Sequence, residues 1–219
     1  MSTSLLAENL AQSNPNLSLQ LSNYAYKKYG VELTRKNLVK RWVNNNHHQK
    51  INRFNIGEIH TVQTGPFENL ALTGGEDGEV LLWKIKEGEV IQRYRGHTGP
   101  IVKALFSPDS TMIITASEDA TIRLWDLNSG QILQIFSGHI GQIYDIAFSP
   151  NGQQFASIGK DQNIIIWDIT SRTEVNRIIP STAKTNGISC LSYSPNAEYL
   201  LAGGINGEIL QFNLVTNVE

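Results

Sequence analysis

From about residue 57 onward, apolar positions fall in short runs that are cut at regular intervals by turn-forming residues. Ile101 to Phe106 is stopped by Ser107-Pro108-Asp109, Ile113 to Ala116 by Ser117-Glu118-Asp119, and Ile122 to Trp125 by Asp126 to Gly130. Runs rich in Ile, Leu and Val, bounded by Gly, Pro, Asn and Asp, predict strands joined in antiparallel meanders. Before about residue 50 the pattern is helical instead. Leu5, Leu6 and Leu10 share one helical face, and Asn14-Pro15 opens a segment carrying Leu17, Leu21 and Tyr24 at spacings of four and three. Gly30 stops it, and Thr34 caps a third short helix through Leu38, Val39 and Trp42. Asn44 to Lys50 reads as a polar linker.

The meander repeats. Trp83, Trp125 and Trp167 stand 42 residues apart, and Phe212 takes the fourth turn 45 residues later. Asp77, Asp119 and Asp161 keep the same interval, with Asn206 in the fourth place. A period of this length marks a repeat architecture in which each unit is a small sheet stacked on its neighbours. At about 5–6 residues per strand, three or four strands fit in each period. The expected fold class is all-β: a propeller-type array of about four four-stranded antiparallel blades, preceded by a short α-helical segment. The expected domains are 1–46, helical segment and linker, and 47–219, blades at about 47–95, 96–137, 138–181 and 182–219.

Gly96-His97, Ser107-Pro108-Asp109 and Leu124-Trp125-Asp126, echoed by Gly138-His139, Ser149-Pro150-Asn151 and Ile166-Trp167-Asp168, resemble the WD-repeat family of β-propellers. The resemblance covers roughly residues 57–219 and is densest in the two middle repeats. It implies a buried hydrogen-bond network of His97, Thr115 or Ser117, Asp119 and Trp125, and again of His139, Ser157, Asp161 and Trp167. In the first repeat it implies Asp77 and Trp83, with Asn55 in the histidine's place. The fourth repeat lacks both Gly-His and tryptophan. The helical stretch, through Asn14 to Leu21, is similar to the connector between an NTPase module and a WD-repeat array in bacterial signalling proteins.

Buried imidazole, hydroxyl, carboxylate and indole groups must pair or cost roughly 1–3 kcal/mol each. A Ser-His-Asp hydrolase would use the same residue types, but a catalytic constellation occurs once, whereas this one recurs. Gly74-Gly75 and Gly203-Gly204 precede turns rather than helices and so do not suit phosphate binding. Glu76-Asp77 and Glu118-Asp119 recur with the repeat, which argues against a glycosidase pair. No enzymatic activity, metal site or cofactor is expected of this chain.

Composition changes the picture little. The 219 residues are 40% hydrophobic and 17% charged with net charge −2. Nucleic acid and membrane are therefore not expected partners, although Lys27, Lys28, Arg35, Lys36, Lys40 and Arg41 lie in the helical region. His47-His48 has no neighbouring carboxylate or thiol to complete a metal site. Cys190, the single cysteine, is expected as a buried thiol, and the chain as cytoplasmic.

The expected function is a non-catalytic protein-interaction scaffold or sensor in signalling, binding protein or peptide partners. The alternative is the regulatory segment of an NTPase- or kinase-linked enzyme whose catalytic domain lies elsewhere. No Gly-x-x-x-x-Gly-Lys-Ser/Thr loop is present in this chain. Glu76, Glu118 and Lys160, just before the turn aspartates, together with Gln142 and Tyr144, are the candidate partner-binding face. Ile51 to Ile56 resembles the outer strands Ile91 to Arg95 and Ile132 to Phe136, while the last repeat lacks such a strand. Three outcomes are open: a piece of a longer propeller, a ring of four blades, or self-association of two chains to complete one propeller.

Overall fold

The structure is a computed structural model that describes residues 57–65, 69–180 and 187–215. All of these belong to the second of two compact units, Phe54–Glu219. The helical reading of residues 1–46, the connector resemblance drawn from it and the strand expected at Ile51 to Ile56 lie outside the described residues.

The described residues form four antiparallel sheets, each a meander in chain order. The first contains β1 (Ile59–Thr64), β2 (Leu70–Gly75), β3 (Val80–Lys84) and β4 (Glu89–Tyr94). The second contains β5 (Ile101–Phe106), β6 (Met112–Ser117), β7 (Thr121–Asp126) and β8 (Ile132–Ser137). The third contains β9 (Ile143–Phe148), β10 (Gln154–Gly159), β11 (Ile164–Asp168) and β12 (Thr173–Ile178). In the fourth, β13 (Ile188–Tyr193), β14 (Tyr199–Gly204) and β15 (Ile209–Asn213) make three strands rather than four among the described residues.

The turns explain why the runs become hairpins. Each second-to-third-strand turn ends on a left-handed residue: Gly78, Ala120, Gln162 and Gly207, with φ between 59° and 82°. The two non-glycines are held there by the preceding aspartate, whose carboxylate accepts the N–H of Thr121 or of Asn163. Gly75, at the end of β2, has a different constraint. A Cβ there would fall 1.8 Å from the Glu58 carbonyl oxygen, so the position serves close strand packing rather than a phosphate.

The strands alternate their side chains between two faces, and both faces of the second and third sheets are apolar. Three core clusters result, one between each pair of successive sheets. Leu72, Leu82 and Tyr94 meet Phe106, Ile113 and Trp125. Ile114, Leu124 and Phe136 meet Ile146, Phe155 and Trp167. Ala156, Ile158 and Ile164 meet Leu191, Leu200 and Ala202, with Phe212 at the margin. The outer-strand aromatic of one sheet reaches the tryptophan of the next: Tyr94 lies edge-on to Trp125 at 5.7 Å and Phe136 edge-on to Trp167 at 5.3 Å. The buried Tyr94 hydroxyl donates to the Leu127 carbonyl at 2.7 Å, and burial raises its pKa well above the usual phenol range.

Cys190 departs from expectation, because its thiol is exposed. It lies on the apolar stretch as anticipated, but on the face of the fourth sheet that turns away from the third. Strand periodicity assigns a residue to a face. It does not say whether that face is covered.

Candidate partner-binding face and the network beneath it

In the second sheet the structural network is built on one hydroxyl. Thr115 Oγ1 lies 2.7 Å from His97 Nε2 and accepts the Trp125 indole N–H at 2.9 Å. Nδ1 faces the Asp119 carboxylate, an acceptor, and so carries a proton; with burial favouring the neutral imidazole, Nε2 accepts the Thr115 hydroxyl proton. The Nδ1–H donates to Asp119 Oδ2 at 2.8 Å. Asp119 also accepts the N–H of Thr98 and, on Oδ1, the N–H and hydroxyl of Thr121. One carboxylate thus fastens the segment before β5 to the β6–β7 turn.

The third sheet repeats this with serine. Ser157 Oγ lies 2.7 Å from His139 Nε2 and accepts from Trp167 at 2.8 Å. His139 Nδ1 reaches Asp161 Oδ1 at 2.9 Å, and Asp161 accepts the N–H groups of Ile140 and Asn163. The connectivity is that of a Ser-His-Asp triad. However, Ser157 is completely buried, so no substrate can reach its hydroxyl in this arrangement.

Ser117 plays a different part from Thr115. Its hydroxyl donates to the Gly99 carbonyl and accepts the Asp119 N–H, which braces the turn without touching the histidine or the tryptophan. In the first sheet the Asp77 carboxylate is exposed and accepts the N–H of Glu79, and Trp83 is half-buried. Thr73, matching Thr115, is buried without a hydrogen bond from its hydroxyl among the described residues. In the fourth sheet Ala202 stands where Thr115 and Ser157 stand, and Phe212 has replaced tryptophan. The hydroxyl and the indole N–H it would bind have gone together, so neither leaves the other unpaired.

Burial lowers the pKa of His97, with contacts to Asp119 acting against it. Burial works to raise the Asp119 pKa, but hydrogen bonds from Thr121, His97 and Thr98 outweigh it and hold the carboxyl below its ordinary value. Burial likewise opposes, and bonds from Ile140 and His139 produce, the lowering at Asp161. A histidine whose folded pKa lies below the unfolded value of about 6.5 binds protons more readily when unfolded. Its share of stability is complete above about pH 6.5 and is lost as pH falls through the folded value. The carboxylates add a second loss as pH falls below about 4. The urea midpoint should therefore decline as pH falls below about 6.5, and decline less in His97→Asn. Equal slopes in the two proteins would place the acid-sensitive group elsewhere.

Above the network lie the candidate contact residues. The Gln142 side-chain amide donates to Glu118 Oε2 at 2.7 Å, joining the rims of the second and third sheets. The Gln142 carbonyl accepts the Lys160 N–H at 2.7 Å. Glu118, Gln142 and Lys160 therefore form one cluster in which Glu118 and Lys160 are exposed and Gln142 is half-buried, and Tyr144 follows on β9 with its ring partly exposed. Glu76 sits apart from this cluster, with its carboxylate 3.6 Å from His60 Nε2. In the fourth sheet the matching position is Ile205, which is exposed, as is Ile140 beside Asp161. Neither isoleucine was singled out by the sequence, although Ile205 keeps the phase of Glu76, Glu118 and Lys160.

A second polar cluster was also missed. Asp145, buried on β9, accepts the Lys103 ammonium of β5 on Oδ1 and the Leu191 N–H of β13 on Oδ2 at 2.7 Å. Its Oδ1 also accepts the Ile146 N–H. One side chain thus ties the first strands of three sheets. The signal was present, since Thr61, Lys103, Asp145 and Cys190 occupy one phase of the repeat and Lys103 and Asp145 are opposite charges 42 residues apart.

The WD domain, G-beta repeat family model matches residues 88–126, 130–168 and 176–213, more than half of the chain. The chain belongs to the WD-repeat family. Each matched unit starts at the outer strand of one sheet or the turn leading into it, and ends at the third strand of the next. The sequence unit therefore straddles two sheets, which locks neighbours together covalently. Cross-pathway control WD-repeat protein 2 of Flammulina velutipes is 39% identical over 74 residues, spanning 33% of this chain and 23% of that protein. Among the described residues there is no cluster of three or more metal-ligating side chains, and no helix long and apolar enough to cross a membrane.

Proposed function

We propose that this WD-repeat chain is a non-catalytic interaction scaffold acting in the cytoplasm, and that protein or peptide partners dock on the face formed by Glu118, Gln142, Lys160 and Tyr144. The observation that carries this reading is the Gln142–Glu118 hydrogen bond. It sets polar groups of two sheets side by side on a rim whose scaffold is fixed from below by two buried networks. Exposed Ile140 and Ile205 supply apolar surface at the same end. A carboxylate, a carboxamide, an ammonium and a phenol beside two isoleucines suit a peptide of mixed character better than a polyanion. Glu76 extends the acidic part of the rim on the first sheet.

The test is a rim variant combining Glu118→Lys, Gln142→Ala and Lys160→Glu. These residues are exposed or half-buried, so thermal stability should change by less than about 0.5 kcal/mol. Partners identified by crosslinking and mass spectrometry should then bind the variant at least roughly tenfold more weakly, as expected when central contacts are removed. Undiminished binding by a folded variant would exclude this face as the docking surface.

A further inference from the structure

Three Asn-Gly pairs occur in the sequence: Asn151-Gly152, Asn186-Gly187 and Asn206-Gly207. Asn186 lies outside the described residues, and the other two pairs sit in hairpin turns of the same form. In each turn the glycine is left-handed, with φ of 70° at Gly152 and 82° at Gly207. Its N–H donates to the carbonyl three residues earlier, that of Ser149 at 2.9 Å and that of Gly204 at 3.2 Å. The asparagine side chains differ. Asn151 Oδ1 accepts the Ser149 hydroxyl and the Gln153 N–H, and its amide donates to Gln153 Oε1. Asn206 is exposed, and its side chain makes no hydrogen bond among the described residues.

The repeat shows what is missing there. Asp77, Asp119 and Asp161 hold the same phase as Asn206, and each accepts the N–H two residues on, from Glu79, Thr121 and Asn163. Asparagine does the same elsewhere in this chain, since Asn196 accepts from Glu198 as Asn151 does from Gln153. Asn206 accepts nothing from Glu208, so its carboxamide is free to turn toward the backbone. Gly207 adds no obstacle. Even a Cβ built on it would meet nothing within 4 Å, so no neighbour resists a shift of the turn.

We propose that Asn206 is a site of spontaneous deamidation, which converts the fourth turn to the aspartate form of the other three. The Gly207 backbone nitrogen gives its proton to hydroxide and attacks the Asn206 carboxamide carbon. A C–N bond forms, ammonia leaves, and a five-membered succinimide closes. Water then opens the ring at either carbonyl, giving an aspartyl or an isoaspartyl residue with one added negative charge. The aspartyl product carries the carboxylate that caps the corresponding turns of the first three sheets. The isoaspartyl product lengthens the turn by one backbone atom and moves the Gly207 N–H away from the Gly204 carbonyl. Either product sets a charge beside Ile205, which is 66% exposed.

Incubating the full chain at mildly alkaline pH, with peptide mass spectrometry at intervals, tests the proposal. Conversion at Asn206 should run at least about tenfold faster than at Asn151, whose side-chain hydrogen bonds must first break. In urea both turns are lost, and the two rates should converge. Asn206→Gln should abolish the product at this position, because its longer side chain closes the ring far more slowly. Its circular dichroism should match that of the unsubstituted protein, since the residue is exposed. Asn206→Asp should reproduce the aspartyl product and unfold at a urea midpoint no lower than the parent. Equal rates at the two sites in the folded chain would overturn the proposal. A rate difference that persisted in urea would trace to sequence neighbours and overturn it as well. A lowered midpoint in Asn206→Asp would refute the capping of the fourth turn by the product.

Discussion

Replacing Thr115 by valine should destabilise the protein by about 3 kcal/mol, the largest loss expected from any change of so few atoms. Valine keeps the β-branched shape and fills the same volume on β6, so the effect isolates the hydroxyl. That hydroxyl serves two buried groups, His97 Nε2 and the Trp125 indole N–H, within 3 Å of each. Both are stranded when it goes, and each stranded buried group costs roughly 1–3 kcal/mol. Thr115→Ser is the control, because the third sheet already uses Ser157 in this place with the same two contacts. It should cost no more than about 1 kcal/mol, the worth of one buried methyl group. Urea denaturation followed by tryptophan fluorescence would measure both. Similar losses in the two variants would mean that packing, not hydrogen bonding, fixes this position. The fourth sheet already contains the fully apolar solution, with Ala202 and Phe212 substituted together.

The second large effect should come from Asp145→Ala, at about 2–4 kcal/mol. Removing the carboxylate strands the N–H groups of Leu191 and Ile146 in a buried site. The loss of Lys103 as partner adds little, since its side chain is 35% exposed and its ammonium can turn to water. Asp145→Asn keeps one acceptor oxygen and should cost about half as much. Lys103→Met should cost about 1 kcal/mol or less, because it leaves both N–H bonds in place. If Lys103→Met proved as damaging as Asp145→Ala, the ion pair and not the backbone bonds would be what holds these strands together. Hydrogen exchange gives a local reading of the same event: the Leu191 amide should lose protection well before the amides of β5 and β6 do.

The repeat itself was legible in the residues. Tryptophans and aspartates at 42-residue spacing, with Ser-Pro-Asp and Glu-Asp-Gly breaks between apolar runs, determine strand number, antiparallel hairpins and the order of sheets along the chain. These are local consequences of turn chemistry and of alternation along a strand. The histidine, hydroxyl, aspartate and tryptophan could be named as a set because their kinds recur in step. The choice between Thr115 and Ser117 could not be made from spacing, since both lie on β6 near the turn and on the same face. It depends on which hydroxyl points at the next strand's indole.

The sequence by itself also determined that the fourth repeat is eroded, since Phe212, Asn206 and the absent Gly-His are visible without coordinates. Only the tertiary structure decided what that erosion leaves in place. Asp145 binds the first strands of sheets 46 residues apart in the chain, and no local pattern announces a contact at that range. Leu201 and Ile209 look like core residues in any hydropathy reading, and their exposure follows from the lack of a following sheet among the described residues. Cys190 shares that face and is exposed for the same reason. Alternation tells which residues share a face. Burial depends on what stands opposite, and that is a property of the assembled sheets.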